Sequence, residues 1–120
     1  MRESRERVLD ILEAIERIEK YAAGGRESFD KDELVQVWIL HHLQVLGEAV
    51  NALRPSLHQE FPEVPWAQIV GMRNVLVHQY FGIDTDIVWT VVDRELPRLK
   101  AQFRAILSDL DEEGGNGSGP

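Results

Sequence analysis

The segment "GMRNVLVHQY", Gly71 to Tyr80, gathers an arginine, an asparagine, a histidine and a tyrosine into a short stretch of helical pattern. At 100° per residue, Trp66, Ile69, Val70, Leu76, Val77 and Tyr80 all fall within about 60° of Arg73, which puts a guanidinium in the centre of an apolar stripe. Asn74, His78 and Gly71 share a different side. Asn74 and His78 are four positions apart, so the carboxamide can orient the imidazole. Gly71 on that side removes bulk and admits a second backbone. A histidine titrates near neutrality and can give or take a proton. An arginine in a desolvated cleft can hold two phosphate oxygens and stabilise charge that develops on them. The bland alternative is a buried arginine paired with a carboxylate such as Glu48, beside a structural histidine. Glu48 is the sole acidic residue between Glu33 and Glu60, so it is the natural partner or supporting group in either case. Geometry alone leaves the two alternatives evenly matched.

Four helical segments must position these residues. The first runs from about Arg2 to Tyr21, with Val8, Ile11, Leu12, Ile15, Ile18 and Ala22 at helical spacing. "AAGGRESFDKD" interrupts it, with Gly24 and Gly25 as stop signals. The second opens near Asp30 and reaches about Leu53. It carries two apolar stripes, Leu34, Trp38, Val45 and Ala49 on one and Val35, Ile39, Leu43, Leu46 and Val50 on the other, so it is central or shared with a partner. Pro55 and Pro62 bound the next loop. The third helix spans Trp66 to about Tyr80, opened by Pro65 and ended by Gly82. Asp84, Thr85 or Asp86 caps a fourth, from near Ile87 to near Leu110, which Pro97 should kink. The expected fold is all-α, an antiparallel four-helix bundle with a kinked C-terminal helix. It occupies residues 1–111, and a disordered acidic, glycine-rich tail occupies 112–120.

Composition narrows the function classes. The chain has 120 residues, 43% of them hydrophobic, and a net charge of −8, which argues against a broad basic face for nucleic acid but not against a narrow cleft with one or two arginines. No apolar run reaches the ~18 residues that span a bilayer, so no membrane role is expected. There are no cysteines, which suits a reducing cytoplasm and excludes thiolate metal sites. His41 and His42 are adjacent and point apart, so no metal is expected there. Trp38, Trp66 and Trp89 fall at core positions. No cofactor motif, glycine-rich phosphate loop or metalloprotease signature is present.

The residues around Arg73 carry a family pattern. "RNVLVHQY" resembles the R-x4-H signature of HEPN domains, and R-x4-H-x-Y resembles HepT, the toxin of the HepT/MNT toxin–antitoxin systems. "LGEAVNAL", "PWAQIVGMRN" and "DTDIVWTVVDRELPRLKAQF" are similar to that family as well, so the likeness covers nearly all of residues 1 to 110. The resemblance implies a HEPN-type bundle that forms a homodimer with two motif helices facing one cleft. It implies a type II-like toxin that is a metal-independent endoribonuclease. Arg73 and His78 would be its catalytic residues and Asn74 the polar supporting residue. It also implies a partner nucleotidyltransferase, the MNT-type antitoxin, that attaches AMP to Tyr80. The chemistry agrees. RNA such as tRNA or mRNA can be cut without metal if one group takes the ribose 2′-OH proton and another protonates the leaving 5′-oxygen. Two histidines from two chains would suffice, leaving a 2′,3′-cyclic phosphate. An AMP on Tyr80 would crowd the Arg73 cleft. The alternative is a non-catalytic HEPN module that docks a nucleotidyltransferase or a nucleotide through a phosphate pocket.

Overall fold

A computed structural model describes residues 2–78 and 84–118. The periodic apolar residues of the first segment become one buried stripe of α1 (Arg2–Ala22), where Val8, Ile11, Ile15 and Ile18 have no exposed surface. The stripe packs against α3 (Glu33–Asn51), whose Ile39, Leu43, Leu46 and Val50 are equally buried. α3 in turn packs against α5 (Trp66–His78). The fourth arm is α6 (Thr85–Thr90), a π-helical turn (Val91–Glu95) and α7 (Leu96–Ser118), and α7 lies along α1 through Leu99, Phe103, Ile106 and Leu110. These four arms are the expected all-α antiparallel bundle, and no strand occurs among the described residues.

Two short helices were not expected. Gly25 takes φ +85, a conformation that costs glycine little, and the chain starts α2 (Gly25–Lys31) at once instead of looping. Phe29 anchors α2, buried and 5.3 Å from the ring of Trp89 on α6. α4 (Pro55–Glu60) begins on Pro55 after an extended Arg54, because a proline at the first helical position loses no hydrogen bond that the helix would use. Asp30, the expected start of the second helix, belongs to α2 and pairs with Arg26. The cap of α3 is Asp32, whose carboxylate accepts from the N–H groups of Leu34 and Val35.

Of the three candidate caps for the fourth arm, Asp84 takes the role and accepts from Asp86 N at 2.8 Å. The distortion expected at Pro97 appears one turn earlier. Proline supplies no N–H and its ring crowds the carbonyl four residues back, and the chain relieves this with the π turn, in which Leu96 N–H reaches Val91 O. α7 continues past Leu110, through residues that the sequence assigns to the tail. There Arg5 on α1 holds Asp111 at 2.6 Å, tying the two helices where the tail was expected to leave the bundle. No helix among the described residues is long and apolar enough to cross a membrane.

Candidate functional site

α5 delivers the motif. It is apolar nearly all round, and its buried contacts fall on Ile69 and Leu76, while Val75 and Val77 are 48% and 40% exposed. The core face is thus rotated to one side of the stripe that the sequence centres on Arg73. Arg73 stands at the rim, its side chain 30% exposed. The rotation follows from what lies opposite, a glycine of α3. A Cβ on Gly47 would lie 2.4 Å from Arg73 Cβ and 2.9 Å from Arg73 Cγ, so the root of the arginine is seated directly on the α3 backbone.

The Arg73 guanidinium is thinly held. Nη1 donates to Asn74 Oδ1 at 3.0 Å. Nη2 lies 3.9 Å from Glu48 Oε1, an ion pair too long for a hydrogen bond and half exposed on the Glu48 side. Nε is buried and has no hydrogen-bond partner among the described residues. The contact with Glu48 is the one that charge scarcity along α3 suggested. Asn74 departs from expectation, because its oxygen serves Arg73 and not His78, and no hydrogen bond joins Asn74 to His78. His78 is exposed on α5. Gly71 is exposed with open space where a Cβ would sit, so among the described residues no other element approaches there. The close approach that the sequence assigns to Gly71 occurs at Gly47 instead. Tyr80 lies outside the described residues.

Glu48 also borders a second feature. A groove of about 410 Å³ between α1 and α3 is lined by Arg7, Asp10, Arg17, His41, His42 and Glu48 among others. His42 is buried and donates from Nδ1 to the Trp38 carbonyl oxygen at 2.8 Å, which leaves Nε2 as the acceptor nitrogen when the ring is neutral. His41 stacks on Trp38, ring centroids 5.8 Å apart. Trp38 itself is 39% exposed, unlike Trp66 and Trp89, which pack against the core as expected. Of the stripe on α3 that starts at Leu34, the first half faces outward, while Val45 packs against the core and Ala49 is buried. Leu34 is 80% exposed and Val37 beside it 40%. Among the described residues no three His, Asp or Glu side chains converge into a metal-holding group.

The family described as ribonuclease HepT-like matches residues 11–106, which takes in both α3 and the whole of α5. The chain belongs to the HepT-like ribonuclease family. It is 35% identical over 98 residues to a Thermococcus cleftensis protein named "Probable ribonuclease HepT", covering 81% of this chain and 89% of that one. It is 32% identical over 108 residues to a "Putative RNase" of Methanocaldococcus jannaschii, covering 89% of each. A second protein of that organism, named "Gamma-glutamylcyclotransferase and putative RNase", is 32% identical over 107 residues, and the chain spans about half, 48%, of its length. No solved structure matches. Arg73, His78, Glu48 and Gly47 all lie inside the segment that the HepT-like family matches.

Proposed function

We propose that this HepT-like chain is the RNA-cleaving toxin of a HepT/MNT-type toxin–antitoxin pair and cuts RNA without a metal. The observation that carries the proposal is the bonding deficit of Arg73. A half-buried guanidinium with one hydrogen bond, a 3.9 Å carboxylate and an unpartnered Nε is poorly used as a structural tie. It is well placed to exchange Glu48 for phosphate oxygens. Arg73 would stabilise the charge of the transition state, Asn74 would fix the plane of the guanidinium and His78 would move protons. The histidine is exposed on α5 and reachable by substrate.

A single chain offers one such histidine, so acid and base would come from two copies. The apolar side chains left exposed on the two helices of the site, Trp38 on α3 and Val77 on α5, give a second copy something to cover. The antitoxin would act through AMP added to Tyr80, two residues after His78 in sequence, where added bulk and negative charge would compete for Arg73.

The test is cleavage of total RNA and of tRNA in excess EDTA, with protein made without its partner and with His78→Ala beside it. Cleavage by the wild type alone, with cyclic phosphate ends, is the expected result. The competing proposal is a non-catalytic module that docks a nucleotidyltransferase, and it draws on the absence of any hydrogen bond that orients His78 among the described residues. An unmodified protein that binds RNA or nucleotidyltransferase but cuts nothing would favour it. Silencing of Tyr80→Phe as complete as that of the wild type would remove the AMP switch from the account.

A further inference from the structure

Between the two helices of the site, the root of Arg73 is seated on a residue to which neither the motif nor the family likeness gives a role. We infer that Gly47 is a positioning residue for Arg73. The inference rests on the proposal that Arg73 is the phosphate-binding group.

A Cβ at position 47 would meet Arg73 Cβ at 2.4 Å, Cγ at 2.9 Å and Cα at 3.5 Å. Cβ and Cα cannot swing aside as the tip of a flexible side chain can, so α5 would have to back away from α3. Glycine is unfavourable inside a helix, and Gly47 is buried well within α3 with an ordinary negative φ. Its own backbone conformation therefore does not call for glycine, and the contact does. The atoms it accommodates are those of the motif arginine, whereas the core face of α5 is made by Ile69 and Leu76, with Trp66, Val70 and Met72 partly buried beside them.

Seating the root of Arg73 on α3 fixes where its guanidinium can go. The next residue on α3 is Glu48, the carboxylate facing Nη2. Asn74 takes Nη1 from the α5 side. Nε is left covered between the two helices. Gly47 thus sets how deep the arginine sits, and Glu48 and Asn74 set its rotation. A side chain at 47 would lift the guanidinium toward solvent, where it would bind phosphate less firmly and add less to the transition state.

The experiment uses the full chain and the variants Gly47→Ala, Arg73→Gly and Gly47→Ala/Arg73→Gly in single-turnover RNA cleavage, because glycine at 73 removes the Cβ and Cγ that a Cβ at 47 would strike. Gly47→Ala should slow cleavage at saturating RNA at least tenfold while the protein stays folded. In the Arg73→Gly background, which lacks the struck atoms, the same change should cost less than twofold. A loss of equal size in both backgrounds, or no loss in the wild-type background, overturns the inference.

A second readout does not depend on activity. The Arg73 Nε–H proton–nitrogen resonance, assigned by its disappearance in Arg73→Lys, should shift in Gly47→Ala. Those of Arg26 and Arg54, bonded to Asp30 and Ser56, should stay. If the wild type cuts no RNA, the function proposal has failed, and this resonance alone decides the positioning claim; an unmoved Arg73 signal sinks it. Should Gly47→Ala not fold, adding Arg73→Gly removes the Cβ and Cγ that it strikes and should restore a cooperative urea transition. Failure to restore it would show that the obstruction is not Arg73.

Discussion

Replacing Arg73 by methionine separates a structural arginine from a working one, and the structure sets the expected size of each effect. The ion pair with Glu48 spans 3.9 Å between partly exposed side chains, a class worth about 0–1 kcal/mol. The exposed hydrogen bond to Asn74 is worth about 1 kcal/mol. Against these stands the buried Nε without a partner, which costs roughly 1–3 kcal/mol and vanishes with the guanidinium. Methionine keeps most of the aliphatic stem that lies on Gly47. The sum lies between about 1 kcal/mol less and about 2 kcal/mol more stable than the wild type, a change of several degrees in Tm at most and more often upward for a domain of this size. Catalysis should respond far more strongly. Removing a group that meets developing charge costs about 2.7–4 kcal/mol, or roughly 10² to 10³ in rate. Urea titration and single-turnover cleavage in EDTA, run on the same preparation, read both numbers. A stability loss beyond about 2 kcal/mol would mean that the arginine is a tie between α3 and α5 and that the accounting of its bonds is wrong. Cleavage within twofold of the wild type would refute its role at the phosphate.

Asp32→Ala removes the carboxylate that caps two N–H groups of α3 and should cost about 0.5–2 kcal/mol in urea unfolding, whereas Asp30→Ala should cost less. Leu34→Asp combined with Trp38→Lys takes charge into the exposed stripe of α3. It should leave Tm nearly unchanged and shift the protein to monomer in analytical ultracentrifugation, with RNA cleavage lost if two chains form the site. Arg26 bridges α2 and α6 by donating to Asp86 and Asp30, and these bonds, Asp86 first, raise its pKa. A raised pKa in a basic group gives stability that is complete below the ordinary value and is lost only as pH climbs through the folded value. Titration between about pH 5 and pH 9 should therefore leave this tie intact. About 1 M salt should weaken it and speed hydrogen exchange in α2.

The sequence exposes some layers of this molecule and hides others for identifiable reasons. α1 is polar on one side and apolar on the other, so its buried residues follow from spacing, and Val8, Ile11, Ile15 and Ile18 are where periodicity puts them. α3 and α5 are apolar nearly all round. Spacing therefore offers each of them several core faces, and only the partner helix decides among them. That is why Arg73 moves from the centre of a stripe to its rim and why Leu34 and Trp38 face outward.

The pairing of Arg73 with Glu48 was legible because that stretch has no other acid. Asn74 was read as an orienting group for His78 because four-residue spacing allows it, but the neighbouring guanidinium is the stronger donor. Gly71 and Gly47 look alike on paper, two glycines in apolar helices. Which one meets a backbone depends on the crossing point of α3 and α5, a quantity that no local pattern holds. One signal was available, since Gly47 directly precedes the lone glutamate. The two short helices were hidden behind glycine and proline, which mark breaks in most contexts and here start new turns.

The π turn at Val91–Glu95 lets one rod obey two masters. α6 is clamped by α2, through Phe29 against Trp89 and through Arg26 on Asp86, while α7 is clamped along α1. Each clamp demands its own angular phase about the rod axis. An α-helix run straight through would satisfy one and miss the other by up to about 100° for each residue out of step. The widened turn absorbs that residue, so Val88 and Val92 before Pro97 and Leu99 and Phe103 after it all look inward. The C-terminal arm works as a coupling between two shafts turned to different angles, and α5 and its arginine are carried on the frame that the coupling keeps true.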